Sequence, residues 1–419
     1  MGTGEVYDVQ DNLRDGESLR PIRGTAFFAD GAFHSLEISV EGGRIESVGR
    51  SVPSGQAFPL HQYLIIPGFV DVHVHLREPG FSYKETVATG TLAAARAGVT
   101  AVVSMPNVAP APDCLAGLEA QTEIIRRDAR VRVIPCGRIT KGDGLADMEA
   151  IASLVAGFSD DGFGVQDGPL MERAMCEARR LGKIIVAHCE DTSCPKDSPE
   201  SEWKQLERDL MLAERTGCRY HACHLSTKES VDLMRKYKER GVDATCETAP
   251  HYLVFSDEDV QDSGRFKMNP PIRTRADREA LIEGLRDGAI DMVATDHAPH
   301  SMEEKSRGFA GSLNGIVGLE TAFPALYTHL VLPGLVPLER ILDAMCYAPR
   351  KRFGIPGGLS QGDAADLAIL DLEAERVVDP AEFQSMGRST PFEGMKLKGE
   401  AVLTMVAGKL VWQKEGFSW

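Results

Sequence analysis

Histidines and aspartates recur at the ends of apolar runs in this chain, a pattern suited to metal chemistry. His73 and His75 stand two apart in LIIPGFVDVHVHL (64–76), so on a strand both imidazoles point to one face. Two imidazoles on one face can hold a divalent metal. Alone, such a pair is as readily two partly buried histidines with ordinary hydrogen bonds. The set changes that balance: Asp161 sits in FSDDG, His188 in IIVAHCED, His224 in CRYHACHLS and Asp296 in DMVATDH, each where an apolar run gives way to polar residues. Carboxylates and imidazoles at this density repel or desolvate one another unless bound cations compensate. Six candidate ligands imply two ions if one residue bridges. His73, His75, Asp161 and Asp296 are assigned to one ion, and Asp161, His188 and His224 to the other. Asp161, with two oxygens, is the natural bridge. Zn²⁺ fits the nitrogen and oxygen donors, and Mn²⁺ or Co²⁺ would also be tolerated. A cation-activated water would then be the nucleophile. Asp296 has a second reading, as the base that takes the water's proton and returns it to a leaving nitrogen. Metal ligation alone is its plainer role.

Other polar residues border the same strand ends. Arg77 lies two beyond His75 and matches a carboxylate bidentately, unless it forms a rim salt bridge. Asn107 ends VTAVVSMPN, where it either meets a ligand or caps a turn. Asn269 in FKMNPP has the same two readings, and His300 in HAPH is either a donor at the mouth or a polar loop residue. His221 and His297 are expected to point away from the ligands beside them. Cys189 and Cys223 are expected to pack behind those ligands, and Glu247 to orient one of them.

The elements needed to position this set are legible in the hydrophobic pattern. Near-continuous apolar strands (64–76, 99–107, 131–137, 183–191, 218–226, 242–251, 289–300) and a shorter one near 159–162 alternate with amphipathic helices at 84–98, 118–129, 169–182, 206–217, 228–241, 275–288, 319–331 and 337–354. Strands buried on both faces read this way in a parallel sheet. The alternation fits an α/β fold, a (β/α)8 TIM-like barrel, which places chemistry at the C-terminal ends of its strands. Strand-and-turn segments occur on both sides, at 24–62 and 364–419. The expected organisation is therefore a barrel over 63–356 and a small composite β-sandwich formed by residues 1–62 and 357–419.

Composition narrows the function classes. A formal charge of −16 argues against a nucleic-acid partner, and no stretch approaches the ~20 apolar residues that span a bilayer. The nine cysteines form no CxxC pair, which fits reduced thiols in a cytoplasmic protein. The first residues, MGTGEVYDVQD, carry no leader pattern.

DVHVHLREPG, AVVSMPN, FSDDG, VAHCED, HACHLSTKES, CETAPHYL, RFKMNPPIR, ATDHAPH and NGIVGLETAF together resemble the aspartate-bridged branch of type I dihydroorotases, in the amidohydrolase superfamily. The resemblance spans about residues 24–412. It implies a barrel with a composite β domain, usually a homodimer, and in some relatives an association with aspartate transcarbamoylase. It implies reversible hydrolysis of (S)-dihydroorotate to N-carbamoyl-L-aspartate. The family's metal ligands, two Zn²⁺ ions per subunit, fall on His73, His75, Asp161, His188, His224 and Asp296, the last also being its acid/base. Its substrate contacts fall on Arg77, Asn107, Asn269 and His300, and on the backbone at Asn314 and Gly315. Three features differ from many relatives: aspartate rather than a carboxylated lysine as bridge, a short segment at 192–202, and Asn314 where Phe is frequent. An allantoinase- or hydantoinase-like activity is the alternative within enzymes, and a silent scaffold partner of a transcarbamoylase the alternative outside them.

Overall fold

The computed structural model describes residues 21–50 and 62–418. The segment read above for a leader and part of the 24–62 strand region lie outside the described residues. In chain order the strands are β1 Ile22–Phe27, β2 Phe33–Glu41, β3 Arg44–Arg50 and β4 Tyr63–Pro67. Next come β5 Phe69–Val74, β6 Val99–Ser104, β7 Arg132–Pro135 and, past Cys136, β8 Gly137–Arg138. A small hairpin of β9 Thr140–Lys141 and β10 Gly144–Leu145 precedes β11 Phe158–Ser159. Then follow β12 Ile184–Ala187, β13 Arg219–Ala222, β14 Ala244–Thr248 and β15 Met292–Val293. The last three are β16 Leu367–Val377, β17 Lys396–Val406 and β18 Lys409–Gln413.

β5, β6 and β7 pair in parallel, as do β8, β11, β12, β13, β14 and β15 in that order. Cys136 joins the two groups, since its N–H bonds Ser104 while that of Gly137 bonds Gly157. A parallel bridge from His297 to Val74 brings the end of the series back to β5. The parallel strands therefore follow one another around a ring. An apolar cluster takes side chains from five of them, among them Val72, Val103, Ile134, Val186 and Met292, and Cys223 joins it from just past β13. On β6, β7, β12 and β15 the intervening residues (Val102, Val133, Ile185 and Val293) pack instead into the larger core that includes the helices. This alternation is why the strands read as unbroken apolar runs.

Helices return the chain from one strand to the next, and their starts are marked locally. Thr86 and Thr274 form capping boxes, and Asp167 and Thr227 accept from N3 amides, the usual means of satisfying free N–H groups at a helix start. The helix expected from 206 begins earlier, at Pro199, with Ser198 before it. Proline suits the first helical turn, so part of the short 192–202 segment is helix. The single helix expected over 319–331 is instead a 3₁₀ turn, a short α-helix (Ala322–Leu326) and a π-turn (Tyr327–Val331), with Pro324 inside.

Both ends of the chain build one seven-stranded sheet, in the order β18-β17-β16-β4-β1-β2-β3. Its far edge turns back on the other side. Arg44 bridges Ala364, and the Ala365 N–H bonds the carbonyl of Gly43 at 3.0 Å. The enclosed core holds Ile38, Ile45, Ile65, Leu367, Leu403 and Met405.

The run 64–76, expected as one strand, is two. β4 belongs to the composite sheet and β5 to the ring, and Gly68 is the crossing point. A Cβ on Gly68 would lie 2.1 Å from Thr100 Cγ2. Thr100 is not free to move, because its hydroxyl accepts from Arg350 at 3.0 Å. Gly68→Ala is therefore expected to cost about 1–3 kcal/mol through overpacking, read as a lower thermal midpoint. An unchanged midpoint would mean the crossing has slack.

Candidate active site

The six ligand candidates meet at the C-terminal ends of the parallel strands, and all are buried. His73 and His75 come from the end of β5, where the ladder is irregular between Asp71 and Val74. Val72 faces the interior apolar cluster, yet its neighbour His73 also turns inward, to Glu247 and Asp161. A bulge re-aims a side chain in this way. Asp161 follows β11, His188 follows β12, His224 lies two beyond β13 and Asp296 three beyond β15. His224 and Asp296 have positive φ (34° and 46°), as does Arg77 (63°). This region is sparsely populated for side-chain-bearing residues, and such outliers cluster at functional sites.

Asp161 stands at the centre. Its Oδ1 lies 3.3 Å from His73 Nε2 and 3.7 Å from both His188 Nδ1 and His224 Nε2. Its Oδ2 lies 3.5 Å from His75 Nε2. Asp296 Oδ1 lies 3.0 Å from His75 Nε2 and 3.6 Å from His73 Nε2. His188 Nδ1 and His224 Nε2 are 3.0 Å apart, near the ~3.3 Å expected of two nitrogens on one tetrahedral ion with Zn–N about 2.0–2.1 Å.

Glu247 explains what the free nitrogens are for. Its carboxylate takes His73 Nδ1–H at 2.8 Å and pairs with His221 Nε2 at 3.0 Å. With Nδ1 donating, His73 Nε2 offers a lone pair, and that buried atom has no hydrogen-bond partner. A lone pair aimed between two carboxylates calls for a cation. The surrounding anions favour positive charge at this position, whether a proton on Nε2 or an ion in its place. Burial pushes the His73 pKa down, but Asp161 and the other nearby anions outweigh it and hold it well above the usual value. Burial raises the carboxyl pKa of Asp296, yet His73 and His75 outweigh that and keep it ionised. Among the described residues, the groups whose ligand atoms lie close enough to share an ion are His73 with Asp161 and His224, His73 with His75 and Asp296, and His73 with Cys223 and Glu247. Cys223 thus sits against His73, and burial pushes its thiol well above the ordinary range.

The remaining expected residues divide. Arg77 reaches the mouth, with Nη2 3.5 Å from His300 Nε2 and Nε donating to the Pro299 carbonyl at 3.1 Å. Asn107 donates to Asp161 Oδ2 at 3.2 Å, and its own oxygen is buried without a partner. Asn269 donates to Glu190 at 2.9 Å. His300 bonds the carbonyl of Asn314 at 2.7 Å. Gly315 N–H bonds Lys267, and at φ 133° it packs where a Cβ would meet the Ala298 carbonyl at 2.5 Å. The 314–315 backbone therefore serves His300 and Lys267 within the chain. His297 points away from the six ligands, as expected.

Several residues escaped the sequence reading. Glu190 accepts from His188 Nε2 at 3.1 Å as well as from Asn269. The HCED motif could have signalled it, because Glu190 is two beyond His188. Asp71 accepts from His73 N–H and from the amide and hydroxyl of Thr295, tying β5 to the segment before Asp296. Lys84 lies 3.1 Å from His300 Nδ1 and 3.0 Å from Glu304.

A parallel α/β ring whose strand ends gather four imidazoles and two carboxylates is a site suited to metal-assisted hydrolysis. The Dihydro-orotase-like family matches residues 62–204. Dihydroorotases of Geobacillus sp. (strain WCH70) and Anoxybacillus flavithermus are each 45% identical; they align over 93% and 92% of this chain and over 98% and 96% of their own lengths. The L-hydantoinase (dihydropyrimidinase) of Arthrobacter aurescens superposes with a TM-score of 0.84 at 26% identity, covering 94% of this chain and 96% of its own. The dihydropyrimidinase of Brevibacillus agri shares the fold, with a TM-score of 0.83 at 21% identity over 94% of this chain and 95% of its own. The chain belongs to the dihydroorotase family.

If Glu247 fixes the tautomer of His73, Glu247→Gln should weaken zinc binding about 10–100-fold. Competition with a chromophoric chelator reads this directly. An unchanged affinity would remove Glu247 from the site.

Proposed function

We propose that the chain reversibly hydrolyses (S)-dihydroorotate to N-carbamoyl-L-aspartate in de novo pyrimidine synthesis, within a (β/α)8 barrel carrying a composite β-sandwich. The observation that carries this reading is the convergence of four histidines on Asp161, with Asp296 beside two of them and Arg77 near His300. His73, His75, Asp161 and Asp296 would hold one ion and Asp161, His188 and His224 the other, Zn²⁺ being the best fit to the donors. When bound, such ions lower the pKa of a water and polarise the ring carbonyl.

The chain's own groups do the rest. Arg77 is the bidentate match for the substrate carboxylate, and His300 and Asn107 would complete its pocket. Asn269, through Glu190, holds the His188 side of the site. Asp296 is ionised and next to the reacting centre. It accepts a proton from the attacking water, then delivers it to the ring nitrogen as the amide C–N bond breaks. Ring closure runs the same transfers backwards, with Asp296 taking the proton from the carbamoyl nitrogen and water departing.

Asp296→Asn should lower kcat in both directions by about 10²–10⁴-fold, measured on the zinc-loaded protein. Parental activity in that variant would exclude Asp296 as acid/base. The likeness to hydantoinases supports a second reading, hydrolysis of an uncharged cyclic ureide. Arg77→Gln separates the two. It should raise KM for dihydroorotate at least about tenfold, the loss of one charge-assisted pair, and leave any turnover of hydantoin unchanged. Faster parental turnover of hydantoin or allantoin than of dihydroorotate would favour the second reading.

A further inference from the structure

Behind Asp296 lies a buried group that the proposed chemistry does not use. His297 is 1% exposed, and its backbone carries the ring closure: it bridges Val74 and Ile316, and its carbonyl accepts from His75 N–H at 2.8 Å. Its ring is fixed at both nitrogens. Gly318 N–H donates to Nδ1 at 3.3 Å, so Nδ1 carries the lone pair and Nε2 the proton. Nε2–H then faces Glu85 Oε2 at 3.4 Å. Glu85 is 0% exposed. Buried ionised carboxylates require several donors, and Glu85 has them: the hydroxyls of Ser385 and Thr89 and the amides of Met386 (3.1 Å) and Thr86 (3.3 Å). Burial alone would raise the Glu85 pKa, but His297 and these hydroxyls outweigh it and hold it below the ordinary value.

The geometry points to Glu85 as a positioning residue. Through His297 it locks the left-handed backbone at Asp296 and so aims that carboxylate. The inference rests on the role given to Asp296 above. Glu85 touches neither the ligand set nor the mouth, and Ser385, from the connector between β16 and β17, completes its donors. The composite domain thereby buttresses the reacting carboxylate from outside the ring.

The test is Glu85→Gln, which keeps the shape and removes the charge. Expected are a kcat lowered about 10–100-fold, the usual loss for a group supporting a site residue, with KM within about two-fold, and metal content and thermal midpoint at parental values. In the Asp296→Asn background the same change should add no further loss, since coupled residues are non-additive. The visible spectrum of the cobalt-substituted protein, which needs no substrate, should also shift. A folded Glu85→Gln protein with parental kcat and spectrum overturns the proposal, as does an equal loss in both backgrounds. Should Glu85→Gln fail to fold, His297→Gln, whose amide N–H reaches Glu85, should exceed His297→Leu in kcat; equal values overturn it. If the parent turns over no dihydroorotate, the cobalt spectrum still decides the positioning role, so the two failures are distinguishable.

Discussion

The structure is organised around one electrostatic problem. Asp161 and Asp296 lie buried within 4 Å of imidazoles from three strands, and Glu247 adds a third buried carboxylate beneath them. Negative groups removed from water at this density are tolerated only opposite positive charge. Every neighbouring feature serves that balance. Glu247 fixes the donor face of His73, Glu190 that of His188, and the positive-φ turns at His224 and Asp296 bring their side chains onto the common centre.

The cluster of six side chains is legible in the sequence because a parallel ring converts apolar runs ending in His or Asp into a single rim. His73, His75, Asp161, His188, His224 and Asp296 needed only strand identity to be grouped. The supporting residues were less legible because they obey no period. Glu85 and Ser385 are 300 positions apart, and nothing in either local pattern pairs them. Regular alternation also places Asp71 on the face of His73, but the irregular ladder after it gives Asp71 to Thr295 instead. The helix at 319–331 misled because its apolar spacing is helical while Pro324 and the π-turn break its hydrogen bonding.

The crossing at Gly68 shows why length and burial cannot locate a boundary. LIIPGFVDVHV is nearly continuous in apolar residues, broken only by Asp71 and His73, because both of its halves are buried, each in a different sheet. Pro67 and Gly68 are the visible marks, and the reason for the glycine is the Thr100 side chain packed against it. The two bodies are joined there by covalent continuity and again by the 379–395 connector, whose Gln384 and Ser385 amides bond Glu320 at the edge of the ring.

That arrangement imposes a schedule on the nascent chain. β4 is flanked in the finished sheet by β1 and β16, and Leu64 meets Leu370. Ribosomes add about 5–20 residues per second, so roughly 15–60 s pass between the emergence of these two strands. Throughout that interval one edge of an apolar strand, LIIP, has no partner, and open edges of this kind template aggregation. The ring can close while its N-terminal neighbour is still half a sheet. An open edge during synthesis thus follows from where the chain begins and ends its sheet, independently of how stable the completed fold is.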